Sequence, residues 1–499
     1  MSTLFHLNRN NKTSTLQQQI RGQLVDAILG DYFPEDKPLP SSRSLAKSLK
    51  VARNTIVLVY EELAADGYLI SKQRCGYFID PNFNYSQLST KPRPQLHKPD
   101  KHNLDKSVDK VSWQEKLKVT ILSATPQNLP NNWQKYEYPF LYAQLDSKLF
   151  PRDNWRKCWR DAASVKSVRQ WSSDNFDNDD PLLIDQIQKR ILPNRGIQVD
   201  SEEILITIGS QQAIYLLAQL LINETSNFGI EQPGYTSAAH TAKLFKANIL
   251  PLEIDSQGLC VTEQLDNCDL VYTTPSYQCP TTVTMPLARR EALLKKAASS
   301  DFLIIEDDYE MEINYGTTPI PALKSLDTQD RVLYIGSLSK TLAPGLRIGF
   351  MVGPAALIKY AKNLRQLMVR HPPLNNQRAV ALFLAQGYHD SLLRKLTRTF
   401  QERREIIANS MREHLPVLHF DLNEGSSIWC HLPSHIDTQQ LQQRCLDNGV
   451  LIHIAQQYYL EEQLSANAIK LGFSAIETHT IAAGIEILAA QYNSFELAN

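Results

Sequence analysis

The sequence predicts an α/β protein in which a small winged helix-turn-helix head precedes a larger body with a mainly parallel sheet. Three observations lead there. Three helical periodicities followed by two short β runs fill residues 16 to 79. A stretch rich in Pro, Asn, Gln and Lys separates them from the remainder. From Tyr138 onward, helical patterns alternate with short apolar runs, the pattern of parallel strands joined by helices.

The chain has 499 residues, 42% hydrophobic and 21% charged, the balance of an ordinary globular protein. Its length allows about three domains. The 52 Lys and Arg against 53 Asp and Glu leave a net charge of −1, which excludes no partner, since a basic surface can hide in a neutral total. The cysteines (Cys75, Cys158, Cys260, Cys268, Cys279, Cys430, Cys445) form no CxxC pair. That argues against a zinc site or a disulfide framework, so no metal is expected, and it fits a reducing compartment. Met1 to Ser14 lacks an apolar signal core, and no run of about 18 apolar residues appears. The expected location is the cytoplasm, with no membrane partner.

In the head, Leu16, Ile20, Leu24, Ala27 and Ile28 recur at helical spacing, with Gly30 as a stop. Ser41 or Ser42 would cap a second helix whose apolar positions are Leu45, Ala46 and Leu49. Arg53-Asn54-Thr55 opens a third through Val57, Leu58, Tyr60, Leu63 and Ala64, closed by Gly67. Tyr68-Leu69-Ile70 and Tyr77-Phe78-Ile79 then make a hairpin, completing the winged plan. From Pro38 to Tyr60 the cations Arg43, Lys47, Lys50 and Arg53 meet no acidic residue. Such a face neutralises phosphates, while a helix opening on Arg53-Asn54-Thr55 reaches base edges in a major groove.

The run from Leu39 to Tyr68 resembles the DNA-binding domain of the GntR family, whose core reads LPSxRxLAxxLxVxRxTv with an xGY exit. The resemblance places DNA contacts on Arg43, Arg53, Asn54 and Thr55, with Gly76 at the tip of the wing. Lys50 stands where the family usually has glycine in the turn. Residues 1–80 are therefore expected to read a double-stranded DNA operator. Residues 81–136 are expected to form a flexible basic linker, with eight Lys and Arg against four Asp and Glu between 81 and 120.

In the body, strands are expected at Ile204–Thr207, Ala247–Leu250, Leu270–Tyr272, Phe302–Ile305, Val332–Ile335 and Gly349–Val352. A long helical stretch, Asn376 to His414, leads into a smaller α+β segment with strands at Ile428–Leu432 and Ile469–Phe473. Thr207-Ile208-Gly209-Ser210-Gln211 reads as a strand, a turn and a helix start, where free N–H groups and the Ser210 hydroxyl suit an anion. Tyr235 follows a tight turn, placed either to stack on a planar ring or to pack in the core. Asp307 ends a buried strand in Ile304-Ile305-Glu306-Asp307-Asp308-Tyr309. Ser337-Leu338-Ser339-Lys340 follows another, with Arg347 seven residues beyond the lysine. A lysine there can form an imine with an aldehyde cofactor whose phosphate the hydroxyls and guanidinium bind.

In this order, and with Tyr138-Pro139-Phe140, Thr274-Pro275-Ser276 and Thr284-Met285-Pro286, these motifs resemble the class I, fold-type I aminotransferases, which use pyridoxal 5'-phosphate (PLP). Joined to a GntR-like head they resemble the MocR/GabR subfamily of transcription regulators. The resemblance implies a large cofactor-binding domain at residues 137–375, a small C-terminal domain at 376–499, and a homodimer. It implies that Lys340 carries the cofactor as a Schiff base, Asp307 pairs with the ring nitrogen, and Tyr309 bonds the ring's phenolic oxygen. Tyr235 would stack on the ring, and Ser210, Gln211, Ser337 and Arg347 would bind the phosphate.

Four departures stand out. Tyr277 and Thr282 replace a histidine and a glycine of the relatives' TPSHQxPTG. The loop at Asp177-Asn178-Asp179-Asp180 is acidic where relatives carry glycine. Lys470 replaces the arginine that grips a substrate carboxylate, and a lysine has no planar fork for bidentate binding. The expected function is a transcription regulator that senses PLP, or an amine or amino-acid effector with Lys470 at its anionic end, rather than a primary enzyme. The alternative is an active PLP-dependent aminotransferase carrying a DNA-binding head. A third reading makes the cofactor pocket purely structural.

Overall fold

The computed structural model describes residues 5–9, 14–30, 32–34, 36–73, 75–81, 113–117, 130, 132–141, 144–172, 179–310, 312, 320–461 and 465–496. Most of the expected linker, and Asp177 and Asn178 with it, lie outside them. The chain divides into two compact units, Met1–Leu117 and Lys118–Asn499.

In the first unit, helices α1 (Leu16–Leu29), α2 (Ser42–Leu49) and α3 (Arg53–Ala65) precede the antiparallel hairpin β1 (Leu69–Lys72) and β2 (Gly76–Ile79). Thr15 caps α1 in a capping box with Gln18, satisfying two N–H groups that a helix start leaves open. Ser41, not Ser42, caps α2: its Oγ accepts the N–H of Ser44 at 3.2 Å. Ile20, Leu24, Ile28, Leu45, Leu49, Ile56, Val59, Leu63, Leu69 and Ile79 form one core. Phe5 joins it from the N-terminal arm, and Gln23 clasps that arm by exchanging hydrogen bonds with the backbone of His6. The turn after α2 passes through Lys50 at φ 52°, a left-handed conformation that favours glycine. Arg9 ties the turn down, donating to the Lys50 carbonyl at 2.6 Å and to that of Leu49 at 3.3 Å.

In the second unit, β3 (Tyr138–Pro139) is the first strand, and β4 (Ile204–Thr207) begins the large sheet. There follow α4 (Gly209–Leu221), β5 (Asn227–Gln232), α5 (Thr236–Leu244), β6 (Asn248–Asp255), β7 (Gly258–Leu259), β8 (Leu270–Thr273), α6 (Leu287–Ser300), β9 (Leu303–Asp308), β10 (Val332–Ser337) and β11 (Gly349–Val352). Sheet order is β4-β11-β10-β9-β8-β5-β6-β7. The run from β10 to β6 is parallel, while β11 pairs antiparallel with both β10 and β4. Helices on its faces bury most of the Val, Ile and Leu side chains of the central strands, as parallel sheets require.

Beyond α7 (Ala355–Val369), the single helical stretch expected from Asn376 to His414 is two helices, α8 (Leu374–Ala385) and α9 (Tyr388–His414). Gly387, at φ 72°, ends the first in a left-handed turn where its missing Cβ removes the steric penalty. Strands β12 (Phe420–Asp421) and β13 (Ser427–His431), helix α10 (Thr438–Asp447), β14 (Val450–Leu451), β15 (His453–Ile454), β16 (Ala468–Gly472) and α11 (Ile481–Glu496) complete the chain. An antiparallel sheet runs β12-β13-β16-β15. Residues from the front of the unit complete this C-terminal segment. β3 pairs with β14, Gly472 N–H donates to the Phe140 carbonyl, and the Arg403 guanidinium binds Asp146 at 2.8 Å. Among the described residues no helix is long and apolar enough to cross a membrane.

Candidate functional site

In the head, Arg43 on α2 and Arg53 and Asn54 at the start of α3 are exposed, and Thr55 is half-buried. Lys47 and Lys50 stand exposed on the same two elements. The Ala52 cap offers no side-chain acceptor, so the first N–H groups of α3 lack that partner beside Arg53. Gly76 begins the second strand of the wing at φ 106°.

In the body the parallel strands end together. Register places Ile335 beside Asp307 and Gly336 beside Asp308, so the loop after β10 brings Lys340 to the end of β9. Asp307 is buried. Its Oδ2 accepts from the Tyr272 hydroxyl at 2.6 Å, whereas Oδ1 has no hydrogen-bond partner. Burial pushes the carboxyl up to about 7, against the Tyr272 hydrogen bond and the Lys340 charge. Lys340 Nζ lies 5.6 Å from the centre of the Tyr309 ring. Burial lowers its ammonium, while Glu310, Cys279 and Asp307 favour the charge. A lowered lysine is a better nucleophile because more of it is neutral amine.

Tyr309 donates its hydroxyl to the Tyr277 carbonyl at 2.7 Å. A phenol has one proton, so donation to any other acceptor requires release of that carbonyl. Tyr235 stacks near Tyr272, with centroids 6.3 Å apart and planes at 30°, and donates to Gln211 Oε1 at 3.1 Å. The Gln211 amide is also held by Thr241, which leaves the backbone N–H of Gln211, in the first turn of α4, as its anion donor. Ser210 precedes it in that turn. Arg347, at φ 53°, donates to the Ile208 carbonyl at 3.2 Å. A Cβ on Gly209 would fall 2.6 Å from its guanidinium, so the glycine admits Arg347 to the helix start. Ser337 ends β10, its Oγ accepting the Ser339 N–H at 3.3 Å.

Lys470 is fully buried on β16, opposite Trp429 and His453, with Nζ 5.6 Å from the Tyr458 ring. Burial lowers it to about 8, while Cys279 and Glu310 favour its charge and Lys340 opposes it. The two lysines therefore act on the same groups. Glu310, buried and raised by that burial, accepts from the Ser426 hydroxyl, which joins the end of β9 to the start of β13. Thr282 sits at φ 64°, the region a glycine would favour. The acidic loop is structural in its described part: Asp180 caps the helix Pro181–Gln186 and binds Arg378 at 2.6 Å, and Asp179 binds Arg365 at 2.9 Å.

Residues 157–486 match the family model of aminotransferase class I and II, and residues 16–79 match that of the bacterial regulatory proteins of the gntR family. The chain belongs to the MocR/GabR subfamily of GntR-family transcription regulators. This MocR/GabR member is similar to the HTH-type transcriptional regulator TauR of Rhodobacter capsulatus, at 35% identity over 95% of this chain and 96% of that one. It is similar to the probable rhizopine catabolism regulatory protein MocR of Rhizobium meliloti, at 27% identity over 96% and 94%. Its body is similar to an archaeal alanine:glyoxylate aminotransferase, with a TM-score of 0.68 and 27% identity over 73% of this chain and 93% of that one.

Several groups of this MocR/GabR site were not apparent from sequence. Tyr272 gave the best signal, a hydroxyl-tipped ring at the end of an apolar strand. Glu231, buried and bonded to Thr273, Thr274 and Gln278, braces the strand ends, and its burial raises its carboxyl. Arg195 reaches Asp308 from 113 residues away. Cys279, Glu310 and His453 have no local motif.

Proposed function

We propose that this regulator binds PLP on Lys340 and senses PLP, or an amine or amino-acid effector, to control transcription from DNA held by its head. One observation carries the reading: Asp307 is buried with one carboxylate oxygen bonded to Tyr272 and the other without a partner, at the strand end that Lys340 also reaches. A buried carboxylate oxygen without a donor is costly, and a protonated ring nitrogen supplies one. The helix start fits the other end of the same cofactor, because Arg347, Ser210 and the N–H of Gln211 gather where Gly209 leaves room.

When bound, PLP supplies an aldehyde that takes up primary amines and a ring that draws electrons. The chain's residues do the rest. Lys340 offers the amine. Asp307 keeps a proton on the ring nitrogen. Tyr235 covers the ring, and Tyr309 turns its hydroxyl to the ring oxygen on leaving Tyr277. Ser210, Gln211, Ser337 and Arg347 hold the phosphate. Lys470 is a point cation for the effector's anionic end. The ligand acts by binding one arrangement of the protein better than another. A homodimer would present two heads to paired half-sites, with Arg43, Arg53, Asn54, Thr55 and Gly76 at the DNA.

The test is a spectral titration with PLP run beside retention of DNA from upstream of the protein's own gene. The wild type should develop a visible band, and borohydride should fix the cofactor to the chain. Lys340→Ala should do neither. Equal trapping by the variant would refute the assignment of Lys340. DNA retention should fall steeply with salt, and Arg53→Ala should weaken it by roughly 1–3 kcal/mol. Rapid steady turnover of an amino acid with a 2-oxo acid would instead favour the aminotransferase reading.

A further inference from the structure

Strand β9 ends in three consecutive acids, and the alternation of a strand divides them between the two faces. Asp307 faces Tyr272 and Lys340. Glu306 and Asp308 point the other way, both with fully buried side chains. Glu306 accepts the N–H groups of Leu323 and Lys324, each at 2.8 Å, and has Arg290 at 3.8 Å. Arg290 is otherwise engaged by the carbonyls of Met285, Pro321 and Pro275. Asp308 has Arg195: the guanidinium Nε donates to Oδ2 at 2.7 Å, and the Tyr334 hydroxyl donates to the same oxygen at 3.1 Å. Arg195 Nη2 donates to Ser276 Oγ at 2.7 Å. Ser276 adjoins Tyr277, whose carbonyl holds the Tyr309 hydroxyl.

We propose that Arg195 is a positioning residue for Asp307: it neutralises Asp308 and ties it to Ser276, leaving Asp307 as the one acid at this strand end that faces the ring nitrogen. This inference rests on the PLP reading of the site. Three carboxylates on successive residues in a buried strand repel one another, and the nearest neighbour of Asp307 is the group that most favours its protonation by charge. Asp308 does act on Asp307 in that sense. The Arg195 guanidinium keeps its charge because Asp308, Tyr334 and Glu306 outweigh the opposing effect of burial. Stability alone does not account for the pair, since desolvation consumes most of what a buried ion pair gains. The guanidinium holds the carboxylate and the hydroxyl at once, through Nε and Nη2.

The test uses the full chain loaded with PLP carrying 15N at the ring nitrogen, whose chemical shift reports where the ring proton lies. In the wild type the resonance should sit at the protonated value. Arg195→Met leaves Asp308 uncompensated, so the proton should move onto Asp307 and the resonance toward the unprotonated value. Arg195→Lys keeps the charge and should stay near wild type. Asp308→Asn leaves the guanidinium uncompensated, which favours the ionised form of Asp307, so the resonance should stay at the protonated value. Arg195→Met should thus move the resonance and Asp308→Asn should not, and movement toward the unprotonated value in Asp308→Asn counts against the role of Arg195 just as an unmoved Arg195→Met does. An unshifted resonance in Arg195→Met, or matching shifts in both, overturns the role of Arg195 and leaves PLP binding standing. A wild type that takes up no labelled PLP overturns the cofactor reading, and this inference falls with it.

Discussion

In the head, Arg43, Lys47, Lys50 and Arg53 stand in water on two consecutive helices and the turn between them. In the body, Arg195, Arg290, Arg365, Arg403 and Lys470 are buried, each among carboxylates, carbonyls or rings. The same residue types do different work in the two places. An exposed cation is screened by salt and keeps its ordinary charge, which suits attraction to a polyanion. A buried cation is shielded from salt, fixes the geometry of its partners and alters their proton affinity.

Three changes test that division, from the largest effect to the smallest. Arg403→Met should destabilise the body most, by about 3–5 kcal/mol, because it strands the buried Asp146 carboxylate and frees the Phe473 and Ser474 carbonyls. Denaturant unfolding should show that loss at low and high salt alike.

Asp307→Asn should act through pH. Folding raises this carboxyl from 3.8 to about 7, so between about pH 4 and 7 the folded chain holds a proton that the unfolded chain has released. Stability without cofactor therefore falls as pH rises through that window. The asparagine should remove the slope, raising stability at pH 8 and not at pH 4, by no more than about 4 kcal/mol, which denaturant unfolding at the two pH values would show.

Lys50→Gly should have the smallest effect and a mixed one. Relief of the left-handed backbone should stabilise the head by about 1 kcal/mol. Loss of an exposed cation from the head should lower the salt slope of DNA binding by about one. A salt-dependent Arg403→Met, or a Lys50→Gly that leaves the slope unchanged, would break the comparison.

Much of the molecule was legible where function is local in sequence. The head's cations lie on two consecutive helices and the turn between them, while Asp307 lies at the end of an apolar strand and Lys340 just beyond another. The departures were legible too: Lys50 and Thr282, standing where relatives carry glycine, both adopt positive φ. What escaped depends on contacts between distant residues. Arg195 and Asp308 are separated by 113 positions, and Tyr272 and Asp307 by 35, so no spacing rule pairs them. Strand β5 was missed because Asn227 and Gln232 make its ends polar, and only its pairing with β6 and β8 reveals a central strand. The helices around Gly387 were read as one because the apolar periodicity resumes directly after it.

The pairing of β3 with β14 fixes where the chain enters the body. The described chain enters the C-terminal segment first, since Tyr138 and Pro139 lie beside Val450 and Leu451. That segment also contains Lys470, whereas Lys340 belongs to the parallel sheet. The chain that leads into the body is thus held against the segment that carries Lys470, while Phe140, the next residue, packs in the same core as Tyr334 and Phe350 of the parallel sheet.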